Sequence, residues 1–402
     1  MRIFVAVRHS ADPRFYYGGL WSGNFYPALR QLGHEIVESN VDLLPLSRFM
    51  HVPGNFTREE LQARTEITER LLDEVRAAQR ERPLNLFLSY FYNAHFDPAG
   101  FDQLRKLGIR SVNFYCNSIY QFENVAEVAR CADFSWHPEK HARDLYLKAG
   151  ANPVWVQMGA DPKVYHPIPE IPRQPSACFV GQRYADRDRW MAALIQNGIP
   201  VAIYGPGWGT DGGDKSDRTK QPSKYLGRVQ PAPGSSASYL RALRQVVSDN
   251  GLVAGVTRVV RQIRYRNQTR RLSPLFAPSA QGSIPFEKIA EVFAAHEVCL
   301  NFSNVWSDGR PGSDLIAHVR LRDFEAPMCR TCYLTGYTDE IGEFYEVGKE
   351  IDTYGSHEEL IDKVRYYLGH HAAAERLRAA GYARARRDHT WANRFSELFS
   401  KL

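Results

Sequence analysis

Glu325 stands in the run Arg322-Asp323-Phe324-Glu325-Ala326-Pro327-Met328-Cys329, which reads as a short helix feeding the apolar strand Tyr333-Leu334-Thr335. A carboxylate in the first turn of such a helix can accept hydrogen bonds from both hydroxyls of a ribose, and the following loop can offer backbone N–H groups to phosphate. The same position also suits a glutamate that only complements the positive end of the helix dipole. A second candidate is His95, in the loop Tyr92-Asn93-Ala94-His95-Phe96-Asp97 directly after the apolar run Leu84 to Tyr90. An imidazole there could take the proton of an attacking hydroxyl; a lone loop histidine can equally be a cap or a surface group.

Among the six cysteines only Cys329 and Cys332 share a C-x-x-C spacing. A zinc site needs a second pair, and a redox pair normally opens a helix after a strand. This pair leads into a strand, so it reads as packing. No Asp-x-Asp pair stands at a strand end in a context that suggests metal, so neither metal nor other cofactor is expected.

The elements that must position these groups follow from periodicity. Ile3 to Val7 reads as a strand, Asn24 to Leu32 as a helix stopped by Gly33, and Glu35 to Glu38 as the next strand, which makes a βαβ opening. Helix Arg58 to Arg80, strand Leu84 to Tyr90, helix Pro98 to Leu107 and strand Ser111 to Tyr115 continue it, and Phe134 to Trp136, Lys140 to Lys148 and Pro153 to Val156 complete a first domain over 1–165. Residues 166–176 hold four prolines in eleven positions, a stiff linker. The alternation restarts at Ala177 to Val180, helix Asp188 to Gln196 and strand Pro200 to Tyr204, and defines a second domain over 177–385. Residues 205–282 break that rhythm as an insertion, and 386–402 form a C-terminal helix expected to return to the first domain. The fold class is α/β, with two doubly wound, Rossmann-like domains.

A chain of 402 residues is long enough for two cores. No run approaches the length of a spanning helix, and Met1 leads straight into a buried strand, so a cytoplasmic protein is expected. The net charge of +6 comes from 51 basic and 45 acidic residues; it suits an anionic ligand but is too mild for a dedicated nucleic-acid binder, and no nucleic acid is expected as partner. Val253 to Leu272 interleaves aliphatics with six arginines. It reads either as a helix packed on the second domain or as a peripheral contact with an anionic membrane.

The Glu325 segment resembles the donor-binding signature of GT-B-fold glycosyltransferases, in particular the CgeB-type, spore-maturation-like members of the group-1 transferases. There an Arg-x-Phe-Glu-x-Pro-x-Cys-Gly motif precedes Leu-Thr; here Arg330 replaces the glycine, and Ala317 stands where many relatives carry another glutamate eight residues before Glu325. The similarity continues through Asp339-Glu340-Ile341, Glu350-Ile351 and the tail Asp388 to Phe395. It implies two domains facing a cleft and a metal-independent, retaining transfer of a hexosyl group from a UDP-, GDP- or dTDP-linked sugar to an acceptor the sequence does not name.

The resemblance also assigns residues. Gly181-Gln182-Arg183 is similar to the phosphate-side loop of the second domain, and a guanidinium there would stabilise the departing diphosphate. Arg183 is the first choice, with Arg322 next and Arg187 behind, each of which could instead be a solvated surface residue. Glu325, Arg322, Gly181, Arg187, Tyr337 and Thr338 would bind the donor, with His95 and Arg183 catalytic. Gly18, Gly19 and Asn93 would line the loop where acceptor and sugar meet, although Gly18-Gly19 could be a plain tight turn. A sugar-nucleotide epimerase would share most of these features. A nicotinamide enzyme would need a G-x-G-x-x-G turn, which Gly18, Gly19 and Gly23 do not supply, and a nucleic-acid binding module is the alternative that is not an enzyme.

Overall fold

The computed structural model describes residues 1–7, 20–47, 49–52, 54–209 and 252–402. The chain forms two compact units. The first holds Met1–Gln157 and Trp391–Leu402, and the second runs from Met158 to Thr390 apart from a short stretch outside the described residues. The division falls between Gln157 and Met158, ahead of the proline-rich stretch, whose last residues already belong to a strand.

In the first unit β1 (Arg2–Ala6), β2 (Glu35–Glu38), β3 (Leu86–Ser89), β4 (Arg110–Phe114), β5 (Phe134–His137) and β6 (Pro153–Trp155) form one parallel sheet in the order β2-β1-β3-β4-β5-β6. Helices α1 (Leu20–Gln31), α2 (Arg58–Glu81), α3 (Pro98–Lys106), α4 (Ala126–Cys131) and α5 (Arg143–Lys148) provide the crossovers. Helix α2 starts where Thr57 and Glu60 form a reciprocal capping box, and it buries Ile67, Leu71, Leu72, Val75 and Ala78 at helical spacing.

The second unit contains β7 (Gln174–Val180), α6 (Arg187–Gln196), β8 (Val201–Tyr204), α7 (Leu252–Phe276), β9 (Ala280–Gly282), α8 (Ile289–Ala295), β10 (His296–Asn301), β11 (Asn304–Trp306), β12 (Leu315–Ala317), α9 (Arg322–Met328), β13 (Cys332–Gly336), β14 (Asp352–Tyr354), α10 (His357–Gly369) and α11 (His371–Asp388). Its parallel sheet has the order β14-β13-β10-β7-β8-β9, the doubly wound arrangement expected from the alternation. Phe179, Ile203, Val298, Leu300, Leu334 and Val364 fill its core. Cys329 and Cys332 are both buried and not joined in a disulfide.

Helix α12 (Trp391–Lys401) belongs to the first unit. Its Trp391 and Phe395 join Trp21, Phe25 and Trp136 in an aromatic core with centroids 5.1–6.3 Å apart. Truncating a ring of this size to alanine costs about 3–5 kcal/mol, enough to hold a terminal helix in place. Two features lack a periodic signal: the antiparallel hairpin β11–β12 and the edge strand β14, each built from strands of three residues. Most of the insertion, 210–251, and the pair Gly18-Gly19 lie outside the described residues.

Candidate functional site

Open parallel sheets bind ligands beyond the carboxyl ends of their strands, where the strand order reverses. In the second unit that place lies between β7 and β10. The loop after β7 is drawn tight at Gly181. A Cβ there would sit 2.7 Å from the Phe179 ring and 3.2 Å from Arg187 Nη1, and Gly205, with φ +136°, passes so close that its own Cβ would lie 2.4 Å from Gly181 O. Only glycine fits such an approach of two backbones. Trp208 Nε1 donates to Gly181 O at 2.8 Å and fixes the loop further.

Arg187 opens α6 from this loop and is 7% exposed. Its Nη1 donates to Gln182 O at 3.0 Å, and its guanidinium lies 5.4 Å from the centroid of Phe179 and 5.9 Å from that of Tyr184. Among the described residues no carboxylate stands within ion-pair distance of it. Burial drags its pKa down to about 9, neighbouring Arg320 pushes the same way, and Asp186 opposes both. Asp186 spends one carboxylate oxygen on two neutral donors, Trp190 Nε1 at 3.0 Å and Asn304 Nδ2 at 2.6 Å.

Arg320 arrives by way of the hairpin. Chain leaving β10 turns through β11 and β12 and returns with His318 and Arg320 to the arginine at the head of α6. Arg320 also lacks an ion pair among the described residues. Asp323 Oδ2 accepts its backbone N–H at 2.6 Å and holds the turn. His318 is buried beside the two guanidiniums, and desolvation first, then Arg320 and Arg187, hold its pKa well below the ordinary imidazole range. Like charges gathered in a desolvated spot repel one another, and an anion between them would relieve that cost.

Next to this cluster lies a recess of about 220 Å³, walled by Trp190, Phe302, Tyr337 and Tyr354 and edged by Ser303 and Asn304. Tyr337 is 57% exposed, the open side of an otherwise aromatic chamber. A buried carboxylate ties together the two strands that lead into the recess. The parallel register sets Asn301 opposite Thr335, and Asp323 Oδ1 accepts from Asn301 Nδ2 (3.3 Å), Thr335 Oγ1 (2.8 Å) and the Tyr333 hydroxyl (2.8 Å). Burial raises the Asp323 pKa against these bonds, which pull it down.

The structure distributes the sequence-derived candidates unevenly. Arg187, Gly181 and Tyr337 lie at the switch point, and Thr338 follows Tyr337 with its buried hydroxyl unpartnered among the described residues. Arg183, expected to face the ligand, is instead spent on structure. It donates to Ser273 Oγ (2.8 Å) and Thr269 O (2.6 Å), stands 3.3 Å from Asp188 Oδ2 and covers the Phe276 ring at 4.8 Å. Those partners occupy both terminal nitrogens and leave Nε without a partner among the described residues. Glu325 is buried on α9, ion-paired to Arg322 and within reach of the Tyr165 hydroxyl; burial raises its pKa and Arg322 opposes the rise. Arg322 lies 5.5 Å from the Phe293 centroid.

In the first unit His95 is fully buried. Its Nδ1 accepts the backbone N–H of Tyr92 at 3.1 Å, and its ring meets Tyr92 edge-on. The sequence places His95 at the end of the sheet as a candidate base; in the structure the loop folds inward over this histidine. Asn93 is buried as well: its Oδ1 accepts from the backbone N–H groups of Glu127 and Val128 and caps α4, and its Nδ2 donates to Glu123 O. The expectation for Gly18 and Gly19 lies outside the described residues. Arg320, His318, Asp323 and Trp190 escaped sequence reasoning. Asp323 stood inside the motif itself, but nothing local shows that its partners come from two strands.

Residues 238–400 match the family model described as glycosyl transferase-like. Among curated proteins no relative matches the chain. Solved structures similar over its full length include sucrose-phosphate synthase from Thermosynechococcus elongatus (15% identity, 98% of that chain, TM-score 0.56). A glycosyltransferase involved in avilamycin A biosynthesis (12%, 98%, 0.53) and the Anabaena protein HepE in complex with UDP-glucose (11%, 99%, 0.51) are also similar. The later part of the chain is therefore glycosyl transferase-like, and the fold, two units each built on a six-stranded parallel sheet, is the α/β fold of GT-B glycosyltransferases.

Proposed function

We propose that this protein transfers a sugar from a nucleotide diphosphate donor to an acceptor hydroxyl. One observation carries the reading: two guanidiniums without carboxylate partners among the described residues, Arg187 and Arg320, lie within electrostatic reach of one another near an aromatic recess at the switch point of the second sheet. A diphosphate supplies the missing anion, and a flat base suits the chamber walled by Trp190 and Tyr337. HepE, similar in fold, has been crystallised with UDP and UDP-glucose, and the match over residues 238–400 agrees in kind.

As the bond between the anomeric carbon and the diphosphate oxygen breaks, negative charge grows on the leaving group. Fixed guanidiniums stabilise that state more than the ground state. Arg187 and Arg320 take this role in our reading, and the transfer proceeds without metal. The acceptor oxygen bonds to the anomeric carbon and its proton passes to a base; the recognised motif favours retained configuration and a hexosyl donor. Glu325, from the recognised motif, is the candidate to accept from the ribose hydroxyls.

The test is a melting panel of UDP, GDP, dTDP and their sugars in excess chelator. A nucleotide at a hundred times its Kd adds about 2.7 kcal/mol, a shift of a few degrees for a chain of this size. Arg187→Gln should remove the shift. Incubating the stabilising donor alone then separates a transferase, which leaves it intact or hydrolyses it slowly, from an epimerase, which converts it. If no nucleotide diphosphate shifts the melting temperature, the reading fails.

A further inference from the structure

Helix α7 carries six arginines and no acidic residue over Leu252–Phe276. One side of it is bound to the second unit. Tyr265 meets Trp306 edge-on at 5.2 Å, Arg258 pairs with Asp308, and Phe276 meets Trp208 at 5.1 Å. A Cβ at Gly312 would lie 2.9 Å from Arg258 O, so the hairpin loop lies directly on the helix backbone. Arg183 ties down the last turns through Thr269 and Ser273. The helix is thus presented in a fixed orientation.

Its other side holds an uncovered ridge. Val256, Val260 and Ile263, at i, i+4 and i+7, are 51%, 40% and 47% exposed, and they account for three of the ten large apolar residues exposed among the described residues. Arg264, Arg266, Arg270 and Arg271 are exposed on the same side, and Arg264, Arg270 and Arg271 have no carboxylate partner among the described residues. Water alone explains neither half of this arrangement, since aliphatics are shed from water and arginines at this density repel.

We propose that this outer face of α7 lies in the plane of an anionic lipid bilayer, with the three aliphatics in the acyl boundary and the arginines on lipid phosphates. A nucleic acid or acidic glycan would satisfy the arginines but leave the aliphatic ridge in water, so the mixed chemistry favours the bilayer. No helix among the described residues is long and apolar enough to cross a membrane, which agrees with contact along one surface. The proposal does not depend on the donor-site reading.

The test is co-sedimentation of the full chain with phosphatidylcholine vesicles, with and without phosphatidylglycerol. The chain should pellet only with the anionic vesicles, less so as salt rises. Arg264→Glu/Arg270→Glu/Arg271→Glu should cut partitioning by more than about a hundredfold, at roughly fivefold for each arginine lost. Val256→Ser/Val260→Ser/Ile263→Ser should weaken it with the charge unchanged. Both variants leave Arg258 and Arg261, which hold the hairpin, in place, and unchanged melting temperatures confirm folding; Val260→Asp is a single-site check. The proposal is overturned if the wild type stays in the supernatant with anionic vesicles. It is equally overturned if the serine variant pellets like the wild type, or if a mixed oligonucleotide binds as tightly as the vesicles.

Discussion

Arg183 stands 3.3 Å from Asp188 with both side chains buried, 5% and 2% exposed, whereas Arg187, on the same turn of chain, has no carboxylate partner among the described residues. Two arginines four residues apart thus stand in opposite surroundings, one paired in the interior of the second unit and one assigned to an anion by the proposed function.

Their substitutions should separate cleanly. Arg183→Met leaves Asp188 buried without its cation and should cost about 3–5 kcal/mol, read as a lowered melting temperature. Arg187→Met removes a buried cation that has no carboxylate partner among the described residues, so the ligand-free protein should lose little stability while UDP affinity falls about ten- to a hundredfold in calorimetry. The opposite pattern would return the phosphate role to Arg183.

Proton linkage gives an independent check on Arg187. Burial pulls its pKa from the ordinary guanidinium range down to about 9, so above that value and up to the ordinary range the unfolded chain holds more protons and this group makes stability rise with pH. The charged form is the one that grips a phosphate. Affinity for UDP should therefore be level as pH approaches 9 from below and decline above it, and Arg187→Gln should flatten that step. A wild-type affinity unchanged to pH 10 would exclude Arg187 from the anion site.

Asp323 makes a different kind of prediction, because it organises the site without touching the recess. Asp323→Asn turns one of four accepting contacts into a donor facing a donor and should cost about 1–3 kcal/mol, measured by urea unfolding. Since the lost contact at Oδ2 also positions Arg320, nucleotide affinity should fall further than Thr335→Val lowers it, although both variants weaken the same network. Equal losses would mean that Asp323 serves packing alone.

The sequence by itself determined the architecture. Strands and helices are written in local periodicity, and the strand-helix alternation at these lengths has few solutions other than parallel sheets with crossovers. It also carried the Phe-Glu-Ala-Pro element, whose residues are contiguous, and the glycine turn at Gly181, where a close approach of chains excludes every side chain. Only the tertiary structure decided which charges are occupied. Arg183 finds Thr269, Ser273 and Asp188, Arg187 finds the Gln182 carbonyl and the Phe179 ring, and His95 turns inward under its own loop. Partners across such separations leave no periodic trace, and the hairpin that delivers Arg320 and His318 is made of three-residue strands too short to show a pattern. Burial and pairing set the chemistry of an ionisable group, and both are properties of the folded neighbourhood rather than of the residue.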